Sequence, residues 1–259
     1  MIYRTWDQDS VFPSFTDPFF PAHLARYYFA ASFLNGKNVL DLGCGKGYGS
    51  QVLAQVAKSV TAIDLNQESI DFAKKNYHHS NLKFMHDDVR VIEQSNPNAF
   101  DAVISFEVLE HLSPDEAGQF VSTLSKLLKE DGRLFLSTPN HDIVTKSGMP
   151  VPSFHINNLS SAELKKFLRH YFKDVQLYGQ VEQRSKAELS LYYLDIFNLR
   201  HSKFVKQLRS GVQGAKTDAP RSSTLPIWNI EMGEGLAANF RFSKWLWRQA
   251  GMSFAICKN

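Results

Sequence analysis

The chain has 259 residues, of which 43% are hydrophobic and 21% charged. That balance excludes wholesale disorder and suits one large domain, or one domain carrying an elaboration. A formal net charge of +3 compels no nucleic-acid partner, and no run of about 18 apolar residues predicts a membrane-spanning helix.

The first segment, 1–36, is expected to be an N-terminal helical cap. Within it HLARYYFAASFL has helical periodicity and places His23, Arg26 and Tyr27 on one face. The opening MIYRTWDQDSVF lacks a signal-peptide pattern. Cys44 and Cys257 lie far apart and form no C-x-x-C pair, so they read as reduced structural thiols. Together these two features predict a cytoplasmic protein.

From Lys37 to Thr138 strand-like and helix-like runs alternate. NVLDLG (38–43) is apolar and ends in glycines, and GSQVLAQVAK (49–58) is helical in period. SVTAIDL (59–65) is a second strand, NQESIDFAKKNY a helix, LKFMHDD (82–88) a third strand and FDAVISF (100–106) a fourth. Ser113-Pro114-Asp115-Glu116 is a helix start, with serine at the cap, proline at the first helical position and glutamate three after the serine. That helix is expected to run to about Glu130 and stop at Asp131-Gly132. RLFLSTP (133–139) is a fifth strand, 140–158 reads as a loop, Ser160–Glu163 starts another helix, and FKDVQLYGQ (172–180) is a sixth strand. MSFAICKN reads as the seventh. This alternation predicts a Rossmann-like, mostly parallel α/β sheet flanked by helices.

Residues 182–250 do not alternate. They hold eleven Lys and Arg against six Asp and Glu, a net +5, which leaves the rest of the chain at −2. ELSLYYLDIFNLRHSKFVKQLR and AANFRFSKWLWRQA read as helices, joined by a Gly/Ser/Pro-containing loop. The division is therefore a core over 37–181, a helical basic insertion over 182–250 and a final core strand over 251–259.

The first strand ends in D41-L-G43-C-G45-K-G47-Y-G49. Glycines between a strand and a helix let backbone N–H groups approach a ligand. The dinucleotide fingerprint would be G-x-G-x-x-G, whereas this chain has G-x-G-x-G preceded by an acid. Asp64 closes the second strand about 20 residues on, where an acid can bind a ribose. Asp87 and Asp88 close the third.

VLDLGCGKG, AIDLN, FMHDDV, FDAVISFEVLEHL and KEDGRLFLSTPN, in this order and spacing, resemble the class I S-adenosylmethionine-dependent methyltransferases, including the ubiquinone-pathway members. The resemblance implies a seven-stranded sheet whose last strand runs antiparallel between the fifth and sixth, and S-adenosyl-L-methionine as cofactor. By position it implies that Asp41, Gly43, Gly45 and Gly47 line the methionine moiety and that Asp64, followed by Leu65, binds both ribose hydroxyls. It places Asp88 and the Val89 backbone at the adenine, with Asp87 the alternative acid. Phe106 and Glu107 would sit at the amino-acid end, where Arg26 is a candidate partner for the carboxylate.

Methyl transfer from a sulfonium is an in-line displacement, and a hydroxyl acceptor must also lose its proton. Glu107, Glu110 and His111 fall at i, i+3, i+4 after the fourth strand. This ExxEH pattern resembles ubiquinone-pathway O-methyltransferases and small-RNA 2′-O-methyltransferases. The second group takes a further histidine ligand from the loop after strand five, where His155 stands. Glu107, Glu110, His111 and His155 are thus candidate ligands for magnesium or manganese. The alternative is metal-free chemistry in which His111, His155 and Glu110 act directly or shape the acceptor pocket, with His141 a further base. The basic insertion points to a small-molecule or glycan acceptor of anionic, sugar-related character, and RFSKWLWRQ could also touch a membrane surface. An RNA acceptor is disfavoured by the absence of a basic face outside the insertion. A non-catalytic binding protein on the same fold is the third reading.

Overall fold

The computed structural model describes residues 19–89, 97–147, 151–182, 240–244 and 250–259. The chain divides into two units, one of Met1–Val181 with Asn229–Asn259 and one of Glu182–Trp228. Of the second only Glu182 is described, and of the two helices expected within 182–250 only 240–244 and Ala250 are.

The described elements are α1 (Phe20–Ala31), β1 (Asn38–Leu42), α2 (Tyr48–Ala54), β2 (Ser59–Asp64), α3 (Gln67–Asn76), β3 (Leu82–His86) and β4 (Phe100–Phe106). A 3-10 turn (Leu109–His111), α4 (Pro114–Leu127), β5 (Leu128–Pro139), α5 (His141–Lys146), α6 (Ser161–Leu168), β6 (Asp174–Glu182), β7 (Phe240–Ser243) and β8 (Met252–Lys258) follow. The strands form one sheet in the order β3-β2-β1-β4-β5-β8-β6-β7. β1 to β5 are parallel neighbours, and β8 runs antiparallel between β5 and β6, as the resemblance implied for MSFAICKN.

Alternation along the strands sorts side chains onto two faces. Leu40, Val103, Leu134, Leu136 and Ala255 point to one, where α4 supplies Val121, Leu124 and Leu127 and α6 supplies Leu164 and Leu168. Both helices start from complete capping boxes, at Ser113/Glu116 and Ser160/Glu163. Asp41, Ala62, Phe106, Phe135 and Phe254 point to the other face. There α3 packs Ile70 and Ala73 beside Ala62 and Phe84, while α1 lays Tyr27 on Phe106 and Phe29 on Phe254.

Four expectations are corrected. The fourth helix stops at Leu127, before Glu130, because Leu128 already pairs with Phe100; the strand then bulges and resumes at the Ala102–Arg133 pair. Gly132 permits the bulge, since a Cβ there would lie 2.9 Å from the Lys129 carbonyl. The stretch read as loop contains α5, whose Ile143 and Val144 N–H groups bond the Asn140 carbonyl. Residues 240–243 are strand rather than helix, for F-R-F-S also alternates with period two and Phe242 stacks on Phe29 at 4.2 Å. This strand brings the sheet to eight.

Close approach of α1 to α2 depends on Gly49. A Cβ there would fall 2.1–2.3 Å from Tyr27 ring carbons. Gly49→Ala is expected to cost about 1–3 kcal/mol as Tyr27 is pushed off. Urea denaturation measures this, and an unchanged midpoint would mean α1 does not seat against α2.

Candidate functional site

β1 sits between β2 and β4, so the chain switches direction of crossover at its carboxyl end, the edge where open α/β sheets bind ligands. Three segments meet there: the glycine loop after β1, the Asp64 turn after β2 and the Glu107–His111 turn after β4.

The glycine loop is held by its neighbours. The Gly43 and Cys44 N–H groups bond the Ile63 carbonyl, and Gly45 N–H donates to Asp64 Oδ2 at 2.7 Å. Gly43, Gly45 and Gly47 all have positive φ. A Cβ on Gly45 would meet nothing within 4 Å, so this loop faces open space. Asp64 Oδ1 accepts from Asn66 N–H at 2.8 Å. Each of its oxygens keeps a second lone pair for a further donor. Burial raises its pKa. Leu65 beside it is 50% exposed, an apolar surface at the loop's mouth. At the end of β3, Asp87 accepts from the Asp88 N–H. That contact turns the Asp87 carboxylate to backbone, and Asp88 is the acid retained as the adenine candidate. Val89 packs its side chain against the core.

Asp41 is fully buried. Its oxygens accept from Tyr27 Oη at 3.3 Å and Ser50 Oγ at 2.6 Å. Among the described residues no cationic side chain pairs with it, and burial lifts its pKa to about 7. Arg26, 3% exposed, donates to Gln180 Oε1 at 2.8 Å and lies 3.9 Å from Glu107 Oε1. Its Nε is buried with no hydrogen-bond partner among the described residues. His23 pairs with Tyr48 Oη, and burial lowers its pKa. The Phe106 side chain is core, packed on Tyr27 at 4.9 Å, which leaves its backbone for the site.

Glu107 has φ 56°, outside the helical geometry that its spacing to Glu110 and His111 suggested. Its N–H bonds the Ser137 carbonyl and its Oε1 accepts from Ser137 Oγ at 2.8 Å. The turn therefore splits the ExxEH motif. Glu107 faces Arg26, while Glu110, His111 and His155 come together, one donor atom from each lying within 4.8 Å of the others. Two ligand bonds of about 2.2 Å span at most ~4.4 Å, close to that limit. Glu107 stands outside this cluster. Glu110 is 1% exposed; its Oε2 accepts from Thr138 Oγ1 at 3.0 Å and its Oε1 has no partner among the described residues. Burial, then the Glu107 charge, pushes its pKa well up. Burial, then His155, holds His111 down at about 4. The His111 and His155 rings meet edge to face at 5.0 Å. His141 heads α5, with its Nδ1 buried and unpartnered among the described residues.

Ser50, Tyr27, Ser137 and Thr138 support these groups and went unnamed as site residues in the sequence. Ser137 and Thr138 had a signal: they end the strand beside β4, level with the ExxEH turn. Ser50 had none.

A parallel sheet with a glycine loop at its switch point and an acid ending the next strand defines a nucleotide-cofactor protein. Comparison narrows the class. Residues 39–132 match the methyltransferase domain family. The chain is 31% identical over 205 residues to a probable S-adenosylmethionine-dependent methyltransferase of Mycolicibacterium smegmatis, covering 78% of this chain and 73% of that protein. It is 34% identical over 155 residues to a ubiquinone biosynthesis O-methyltransferase of Haemophilus ducreyi, covering 55% of this chain and 62% of that one, so it spans less than two thirds of this relative. In fold it is similar to a SAM-dependent methyltransferase of Archaeoglobus fulgidus, with a TM-score of 0.57, 16% identity and 92% of each chain covered. The chain belongs to the S-adenosylmethionine-dependent methyltransferases. Both cysteines are buried and free, and among the described residues no helix is long and apolar enough to cross a membrane.

The Asp41 geometry has a pH consequence. An acid whose folded pKa is raised keeps its proton in the native state after the unfolded chain has lost it. Stability is then fully present below about pH 4 and falls as pH rises toward about 7. Asp41→Asn should flatten this fall by up to a few kcal/mol, read by urea denaturation of ligand-free protein between pH 5 and 7.5. Equal slopes in the two proteins would refute the assignment.

Proposed function

We propose that the protein O-methylates a small hydroxyl-bearing acceptor and that Glu110, His111 and His155 hold a divalent ion beside it. The observation that carries this is a buried carboxylate, Glu110, whose Oε1 has no partner among the described residues and which brings one oxygen within 4.8 Å of a nitrogen on each of two imidazoles. A carboxylate oxygen left so costs stability unless a ligand or a proton occupies it.

S-adenosylmethionine supplies a methyl group on a sulfonium. The residues suit such a cation: the space over Gly45 admits it, Asp64 offers lone pairs to ribose hydroxyls, and Leu65 covers an adenine face. Asp41 and Glu107 bring negative charge to the end where the ammonium and sulfonium would lie. Arg26, with Nε unpaired, suits the carboxylate. Asp88 and the Val89 backbone take the adenine edge.

On the acceptor side, the low pKa of His111 keeps its ring neutral, the state in which imidazole binds a metal or accepts a proton. Two nitrogen donors with one carboxylate suit manganese better than magnesium. A divalent ion there would lower the pKa of an acceptor hydroxyl. The acceptor oxygen then gives its electron pair to the methyl carbon as the carbon–sulfur bond breaks onto sulfur, and the hydroxyl proton leaves to solvent or a neighbouring base. The likeness to ubiquinone-pathway relatives supports oxygen as the acceptor atom. The anionic-sugar and membrane-surface expectations rest on 182–250, of which only 182, 240–244 and 250 are described.

Titration calorimetry with S-adenosylhomocysteine should show binding that Asp64→Ala weakens about tenfold or more. Thermal unfolding of chelator-treated protein should shift upward with manganese, and Glu110→Gln should abolish that shift. Full methyl transfer in chelator together with no manganese shift would overturn the metal role.

A further inference from the structure

We propose that Phe154 and Ile156 form the surface that selects the acceptor, and that it selects a hydroxyl carried on a flat, uncharged apolar ring. The inference rests on the methyl-transfer reading and names its substrate class.

Five large hydrophobic side chains are exposed among the described residues, and two of them, Phe154 (37%) and Ile156 (55%), flank His155. Slack packing does not account for this, because the loop is pinned. The Ile156 and Asn157 N–H groups both donate to the Glu110 carbonyl, at 2.9 and 3.1 Å, and Asn157 Nδ2 donates to the Leu109 carbonyl at 3.2 Å. The His155 N–H bonds the Pro152 carbonyl and Asn158 Nδ2 the His155 carbonyl. Asn157 itself is buried. The loop is therefore fixed in register with the Glu110 turn, with its polar Asn157 directed inward and Ile156 outward. An apolar side chain held in water by a hydrogen-bonded frame gains from covering by an apolar partner.

Phe154 indicates the shape of that partner. It lies nearly parallel to His111, with ring centroids 5.7 Å apart and planes 20° apart, and edge-on to His155 at 4.9 Å. These contacts use part of the ring and leave the rest outward, beside the imidazoles where a hydroxyl must be activated. Flat rings stack on such a surface. Charge argues the same way. From Val151 to Asn158 the loop has no Lys, Arg, Asp or Glu, so it offers no permanent cation to a phosphate or carboxylate on the acceptor.

The test uses the full chain loaded with S-adenosylhomocysteine and two probes, 4-methylcatechol and glucose 6-phosphate, each titrated by calorimetry. Phe154→Ala and Ile156→Ser are compared with the parent. 4-Methylcatechol should bind in preference, and each substitution should weaken it about tenfold while leaving S-adenosylhomocysteine affinity within about twofold. Preference for glucose 6-phosphate, no binding of 4-methylcatechol, or variants that bind it as well as the parent would each overturn the proposal. Loss of S-adenosylhomocysteine binding in the parent would instead remove the methyl-transfer reading beneath it.

Discussion

The backbone turn at Glu107 sets the geometry on which both halves of the site depend. A glutamate with φ of 56° lies in the left-handed region, which costs of order 1–3 kcal/mol for a residue with a side chain. The cost is sustained because the surroundings determine the conformation: Ser137 takes the Glu107 N–H on its carbonyl and gives its hydroxyl to the carboxylate. Val108 follows and presses against Gly43, where a Cβ would stand 2.5 Å from its Cγ2. The turn thus touches the glycine loop directly. It sends Glu107 toward α1 and, three residues on, Glu110 and His111 toward the loop that carries His155. A regular helix would have put all three groups on one face. The left-handed residue instead parts Glu107 from Glu110 and His111, and so the side proposed for the methyl donor from the side proposed for the acceptor.

Helix α1 completes the donor side from outside the sheet. Its His23, Arg26 and Tyr27 reach the segments flanking the cofactor edge: Tyr48 at the start of α2, Glu107 after β4 and Asp41 in β1. Gln180 ties the arrangement to β6, accepting from Arg26 and donating to the Ala22 carbonyl. Buried polar groups of this kind hold a geometry only when they satisfy one another. Here one atom stays unpaired among the described residues, Arg26 Nε, the group proposed to meet the cofactor carboxylate.

Much of this was legible in the sequence. Capping boxes at Ser113 and Ser160, strand alternation and the glycine string located the elements, because each is a local rule read over a few residues. The antiparallel final strand was available only through family likeness, since nothing in MSFAICKN states its partner. Two features were beyond reach, and a third, the meeting of His155 with Glu110, was expected only through family likeness. The Glu107 conformation comes from Ser137, thirty residues away. The strand at 240–243 is decided by Phe29 and Phe254, while its own residues suit either period. The meeting of His155 with Glu110 depends on Asn157 reaching the Leu109 carbonyl, a contact across the sheet edge. Local pattern fixed which residues are available; tertiary contacts decided which of them meet.

Electrostatics joins the two sides. Asp41, Asp64 and Glu110 all have raised pKa values, with burial the first cause in each. Carboxylates taken out of water without cations hold protons more tightly. The described residues set Arg26 against this group of acids. Under the proposed reading a sulfonium would lie near Asp41 and a divalent ion at Glu110, two acids that form no ion pair among the described residues. Burial favours the protonated form of Asp41 and Glu110, so binding of a cation beside either would be linked to proton release. Burial of its acids would thus favour cationic ligands at this edge, and the Phe154–Ile156 loop, without Lys, Arg, Asp or Glu, adds an exposed apolar surface beside Glu110.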